Sequence, residues 1–147
     1  MYTLSMSTAA ARLTDPAAVR RFLTAGKARV TLVSTRTGTR FTYRVRAARD
    51  TEGLYFVDVL TGSDNTADYT FAGTLTARGF RHSPKAGIGA DAPSVRAFGW
   101  AAERLDGDAL PAGLEVWHEG RCARCGRVLT VPESIASGFG PECAGRA

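Results

Sequence analysis

The run Lys27-Ala28-Arg29-Val30-Thr31-Leu32-Val33-Ser34-Thr35, with its partner Arg40-Phe41-Thr42-Tyr43-Arg44-Val45-Arg46-Ala47, decides the fold. Both runs alternate with a period of two. Ala28, Val30 and Leu32 take one face of the first, and Phe41, Tyr43 and Val45 take one face of the second. Lys27, Arg29, Thr31, Arg40, Thr42, Arg44 and Arg46 take the other. Such alternation marks strands with one buried face, and the intervening Arg36-Thr37-Gly38-Thr39 supplies a turn. Two further strands are expected, over 54–60 with Tyr55, Val57 and Val59 in phase, and over 69–76 with Tyr69, Phe71 and Leu75 in phase. Neighbouring strands pair by default, which gives a four-stranded antiparallel meander.

Two helices flank these strands. Asp15 can cap a helix that has Pro16 at its first position, carries Val19, Phe22 and Leu23 on one face, and stops at Gly26. A second is expected from about Pro93 to Leu105, where Val95, Phe98, Ala102 and Leu105 recur at helical spacing. The expected class is α+β: the meander packed on two helices, with a C-terminal treble-clef or ribbon-like zinc module. The boundaries are an N-terminal arm over 1–13, an α+β domain over 14–113 and a metal module over 114–147. Trp100 and Trp117 are expected in the core or at the domain joint. The Gly-rich loop from Lys85 to Ser94 lacks a phosphate-binding fingerprint and reads as a plain loop.

Charge is sorted into blocks. Residues 12–49 carry ten basic residues and one acid, whereas 50–70 carry five acids and no base. Seventeen of the nineteen basic residues are arginine, which also fits a high-GC genome, so position says more than number. No apolar run approaches the ~20 residues needed to cross a bilayer. The N-terminus has neither a basic region nor a continuous apolar stretch, so no signal peptide, no membrane and a cytoplasmic chain are expected.

All three cysteines lie near the end of the chain. Cys122 and Cys125 form Cys-x2-Cys, Cys143 follows, and His118 precedes them. Three thiolates and an imidazole suit one tetrahedral structural zinc ion. Glu142, Glu119, a water or a partner's residue are the other candidates for the fourth position. A redox dithiol would leave Cys143 idle, and a Cys143–His118 catalytic pair would lack an orienting group and an oxyanion site.

The run Cys122, Cys125-Gly126-Arg127, Leu129, Pro132, Ser134, Gly138, Gly140-Pro141 and Cys143 resembles a small zinc-finger-like domain of unknown function that recurs in phage and actinobacterial proteins. Gly38–Val45 and Trp117–Gly120 are similar to stretches of small proteins borne by phages and mobile elements. The resemblance implies metal binding by Cys122, Cys125 and Cys143, and implies no activity.

The basic sheet face is the expected functional surface. Lys27, Arg29, Arg40, Arg44 and Arg46 would hold DNA or RNA, with Phe56 as a stacking group. Arg121, Arg124 and Arg127 add a second basic cluster around the cysteines. Asp58 falls on the same face and argues for cross-strand pairing with these arginines. Paired carboxylates, a nucleophile with its base and a phosphate fingerprint are missing, so a non-enzymatic protein is expected. The alternatives are a protein-interaction module, such as a phage inhibitor of a host or defence protein, and a small nucleotide-binding protein.

Overall fold

The structure is a computed structural model, and it describes residues 11–64, 67–119, 121–125, 138 and 139. Seven strands form one antiparallel sheet: β1 (Ala11–Leu13), β2 (Lys27–Ser34), β3 (Arg40–Ala47), β4 (Tyr55–Leu60), β5 (Tyr69–Thr76), β6 (Gly79–His82) and β7 (Leu114–His118). Their order across the sheet is β1-β7-β2-β3-β4-β5-β6. Two helices are present, α1 (Pro16–Leu23) and α2 (Pro93–Glu103).

This corrects the expected four-stranded meander. The four strands read from the sequence do run side by side as β2 to β5, but the sheet extends beyond them at both edges. On one side β6 closes a short hairpin with β5, pairing Gly79 with Thr76 and His82 with Gly73. On the other, β7 enters between β2 and β1, pairing Leu32 with Val116 and Leu13 with Val116. A seven-stranded sheet has more edge-to-edge apolar surface to cover than a meander of four, and both helices lie on the same face of it. The expected treble-clef or ribbon-like module is not seen among the described residues. Its leading stretch, Leu114–His118, is a strand of the main sheet. The rest of that module, 126–137 and 140–147, lies outside the described residues, as do residues 1–10 of the arm expected over 1–13; the last three residues of that arm are not an arm but strand β1.

The helix-facing side carries the core. Ala28, Val30, Leu32, Tyr43, Val45, Val57, Val59, Leu114 and Val116 are buried there in one cluster with Val19, Phe22 and Leu23 of α1 and Val95, Phe98 and Ala101 of α2. Each large side chain fully buried in this way contributes roughly 1.5–3 kcal/mol. Asp15 caps α1 by accepting a hydrogen bond at 3.1 Å from the Ala18 amide, as its sequence suggests. Phe98 fixes α2 over the middle of the sheet: its ring lies 4.9 Å from that of Tyr43 and 5.2 Å from that of Phe80. The Tyr43 hydroxyl, inside this layer, donates to the Ser94 carbonyl at 2.6 Å.

One irregularity decides the composition of the opposite face. Val57 pairs with Gly73, but Asp58 pairs with Phe71, so β5 carries one extra residue, Ala72. A bulge of this kind reverses the side-chain phase of the strand beyond it. Leu75 therefore points into the core, whereas Tyr69 and Phe71 point to the open face. The expected common phase of Tyr69, Phe71 and Leu75 is corrected accordingly. Thr70 moves to the helix side, beside Val59.

Candidate nucleic-acid interface and metal-ligand segment

The open face is built from alternate residues of every strand. Cross-strand partners share a face, so the register places Lys27 with Arg46, Arg29 with Arg44, Arg12 with Trp117, and Thr74 with Arg81. The predicted Lys27, Arg29, Arg40, Arg44 and Arg46 are brought together on this surface. Arg12 and Arg81 join them and were not foreseen, because they sit on the short strands β1 and β6. Seven cations thus share the open face of the sheet with three carboxylates, Asp58, Glu115 and Glu119.

The carboxylates hold several of these cations. Asp58 is almost fully buried, yet it accepts from Arg44 Nε at 2.9 Å and from Arg46 at 2.7 Å (Nε) and 3.1 Å (Nη2). The hydrogen bond to Asp58 raises the Arg46 pKa above its usual value. The pairing inferred from the sequence is thus present. Glu119 lies 3.9 Å from Arg29, and Glu115 lies 3.7 Å from Arg12 while also accepting from Trp117 Nε1 at 3.0 Å. Lys27, Arg40 and Arg81 have no acidic partner among the described residues.

Aromatic rings are interleaved with the cations. The Arg44 guanidinium stands 4.6 Å above the Tyr69 ring, and Arg29 stands 5.9 Å from the same ring. Arg46 lies 5.0 Å over Phe56, which meets Phe71 edge-on at 5.9 Å. Tyr69, Phe56, Phe71 and Trp117 are all half-buried, so each retains accessible surface. Burial, with the negative charge of Glu119, raises the Tyr69 pKa. Of these rings the sequence marked only Phe56 as a stacking group. Tyr69 and Phe71 were hidden by the bulge. Trp117 lies on the open face and Trp100 is 42% exposed, so neither belongs to the core.

The cysteine segment docks at the start of β2. Ala123 is its anchor: its carbonyl accepts from the Lys27 amide at 2.7 Å, and its amide donates to the Gly138 carbonyl at 2.9 Å. Gly138 has φ +82°, and a Cβ there would overlap the Phe22 ring and stand 3.7 Å from His118 Cδ2. Only glycine suits this backbone and this contact. Phe139 is buried beside it, edge-on to Phe22 at 6.3 Å and beneath the Arg21 guanidinium at 4.8 Å.

His118 and Cys122 are buried, and the His118 ring stacks on Phe22 at 5.4 Å. Cys125, Arg121 and Arg124 are exposed. Cys143 and Arg127 lie outside the described residues. Among the described residues no group of three or more His, Cys, Asp or Glu side chains is gathered to hold a metal. The donor chemistry nevertheless suits zinc, and the return of Gly138 to His118 and Ala123 brings the chain back toward the cysteine pair. Cys143 follows Gly138 by five residues, a reach of at most about 18 Å. The residues that would hold such an ion are His118, Cys122, Cys125 and Cys143.

Residues 112–147 match the model of a family of unknown function (DUF6011). The matched stretch begins just before β7, so it takes in a strand of the sheet as well as His118 and the three cysteines. None of the curated proteins and none of the solved structures matches the chain.

Proposed function

We propose that this is a non-enzymatic protein that binds single-stranded nucleic acid across the open face of its sheet. In this reading its C-terminal segment is clasped by one structural zinc ion held by His118, Cys122, Cys125 and Cys143. The observation that carries the reading is the bulge in β5. It turns Tyr69 and Phe71 onto the face that already holds Phe56, Trp117 and the arginines. A surface of half-exposed rings among cations is what unpaired bases and their phosphates require, since rings stack on bases and cations replace counterions. Duplexes hide their base faces, so the aromatic set favours single strands. Arg121 and Arg124, exposed on the cysteine segment that docks at the start of β2, would add to these cations.

Zinc in such a site would act as a clasp and supply no reaction. Its ligands come from a segment with few apolar residues, where metal binding of ~10–16 kcal/mol in small fingers is an ample anchor. The likeness of the C-terminal pattern to phage and actinobacterial proteins, and of Gly38–Val45 and Trp117–Gly120 to phage- and mobile-element-borne ones, supports a cytoplasmic role in an infected or element-bearing cell.

Photocrosslinking tests the surface. A single-stranded oligonucleotide carrying bromouracil should crosslink to peptides that contain Phe56, Tyr69, Phe71 or Trp117. Crosslinks confined to the helix side, or none at all, contradict the proposal. Capture of a protein partner after nuclease treatment, without crosslinks, would favour a protein-interaction module instead.

A further inference from the structure

The helix side of the sheet holds a cavity of about 430 Å³ at the end of the β2–β3 hairpin. That volume falls within the range of small-molecule sites. Its walls are mainly apolar and include Phe41, Leu114, Pro111 and Trp100. Trp100 is the exposed large apolar side chain of the described residues, and it is held in place. The Arg104 guanidinium lies 4.3 Å over its ring and donates to the Trp100 carbonyl at 2.9 Å. The wall formed by the loop after α2 is pinned to the sheet, because the Thr35 amide donates to the Gly113 carbonyl at 2.8 Å.

Arg36 is the sole charged residue of the lining. It has no acidic partner among the described residues. Its stem runs across Gly113, where a Cβ would come 3.2 Å from Arg36 Nε and 3.3 Å from Cγ. A glycine at φ +89° therefore both turns the chain and seats the arginine along the pocket wall. The cavity thus combines a fixed apolar body with one uncompensated guanidinium.

We infer that this cavity binds a small organic anion with a flat apolar body, its anionic group paired with Arg36 and its body against Phe41 and Trp100. The site lies on the opposite side of the sheet from the basic face and does not depend on nucleic-acid binding. A carboxylate or phosphate satisfies the guanidinium, and an apolar body displaces water that the walls cannot hydrogen-bond.

Anilinonaphthalene sulfonate is a suitable probe, since it joins a flat apolar body to one anion. Titrated into the full chain, it should bind saturably at one site. Arg36→Ala should weaken it by about tenfold or more, and Arg36→Lys should restore part of the loss. The uncharged analogue phenylnaphthylamine should bind the wild type about tenfold more weakly than the sulfonate. Ala97→Phe, which fills the cavity, should abolish binding in a protein whose circular dichroism is unchanged. Non-saturable binding, or binding indifferent to Arg36→Ala, overturns the inference. Tighter binding of an apolar peptide with a free C-terminal carboxylate would overturn it too, by making the occupant a polypeptide.

Discussion

The guanidinium of Arg44 lies 4.6 Å above the ring of Tyr69, although the two residues sit on strands separated by β4. The contact exists because the bulge at Ala72 turns Tyr69 outward. The Tyr69 hydroxyl is buried and has no hydrogen-bond partner among the described residues. The ring, not the hydroxyl, is therefore the useful part of this side chain. Tyr69→Phe should leave stability within about 0.5 kcal/mol of wild type or raise it, and should preserve oligonucleotide affinity. Tyr69→Ala should lower both. Urea unfolding together with a binding titration checks the pair of outcomes.

Asp58 is a buried anion beneath two partly exposed arginines. Replacing it with an amide strands neither guanidinium, because both reach solvent, but it removes the anion and leaves one acceptor oxygen where two had served three charge-assisted hydrogen bonds. Asp58→Asn should cost about 2–4 kcal/mol in urea unfolding. The same change frees Arg44 and Arg46 for phosphate, so the folded variant should bind a single strand several-fold more tightly at low salt. Its affinity should also fall more steeply with salt than that of the wild type.

Tyr43 gives the fold an alkaline limit. Burial raises its pKa well above the usual tyrosine value of about 10. The folded state therefore holds this proton more tightly than the unfolded chain. Its stabilising contribution is complete below about pH 10 and is lost as pH rises above that, by up to about 1.4 kcal/mol per pH unit. Tyr43→Phe should cost about 1 kcal/mol at neutral pH, through the lost bond to Ser94, and should flatten the alkaline decline. Urea midpoints measured from pH 8 to 11 test the sign.

Gly138 couples the C-terminal segment to α1. Its positive φ and its contact with Phe22 leave no room for a side chain. Gly138→Ala should destabilise the fold by about 1–3 kcal/mol and weaken zinc retention, because it pushes the returning chain away from His118. Native mass spectrometry of the reduced protein should show one zinc per chain in the wild type and loss of it in Cys143→Ser. A metal-free wild type contradicts the zinc assignment.

Much of the sheet was legible because β2, β3 and β4 alternate cleanly and their turns carry glycine. Helix α1 was legible from Asp15-Pro16, where the cap and the fixed proline φ both act locally. The two edges were not. β1 has three residues and exists by pairing with β7, which is about a hundred residues away in sequence. Nothing local announces such a strand. Leu114-Glu115-Val116-Trp117-His118 does alternate, but its closeness to Cys122 drew it toward the metal segment. The bulge left one trace, Gly73 inside an otherwise good strand, which is where an extra residue is expected. Without it, Tyr69 and Phe71 fall in phase with Leu75 and vanish into a presumed core. The cations of the interface were thus readable from charge and period, while most of its rings depended on a one-residue shift.

The most direct test is fluorescence anisotropy of a labelled single strand of about twenty nucleotides, with the matching duplex as comparison. The informative variant is Lys27→Glu with Arg40→Glu and Arg81→Glu. These three cations have no acidic partner among the described residues, so the variant breaks no ion pair among them. The single strand should bind more tightly than the duplex, lose about tenfold or more in affinity between 50 and 200 mM salt, and fail to bind the triple variant. No binding at 50 mM salt, or binding that the triple variant retains in full, contradicts a nucleic-acid role for the open face.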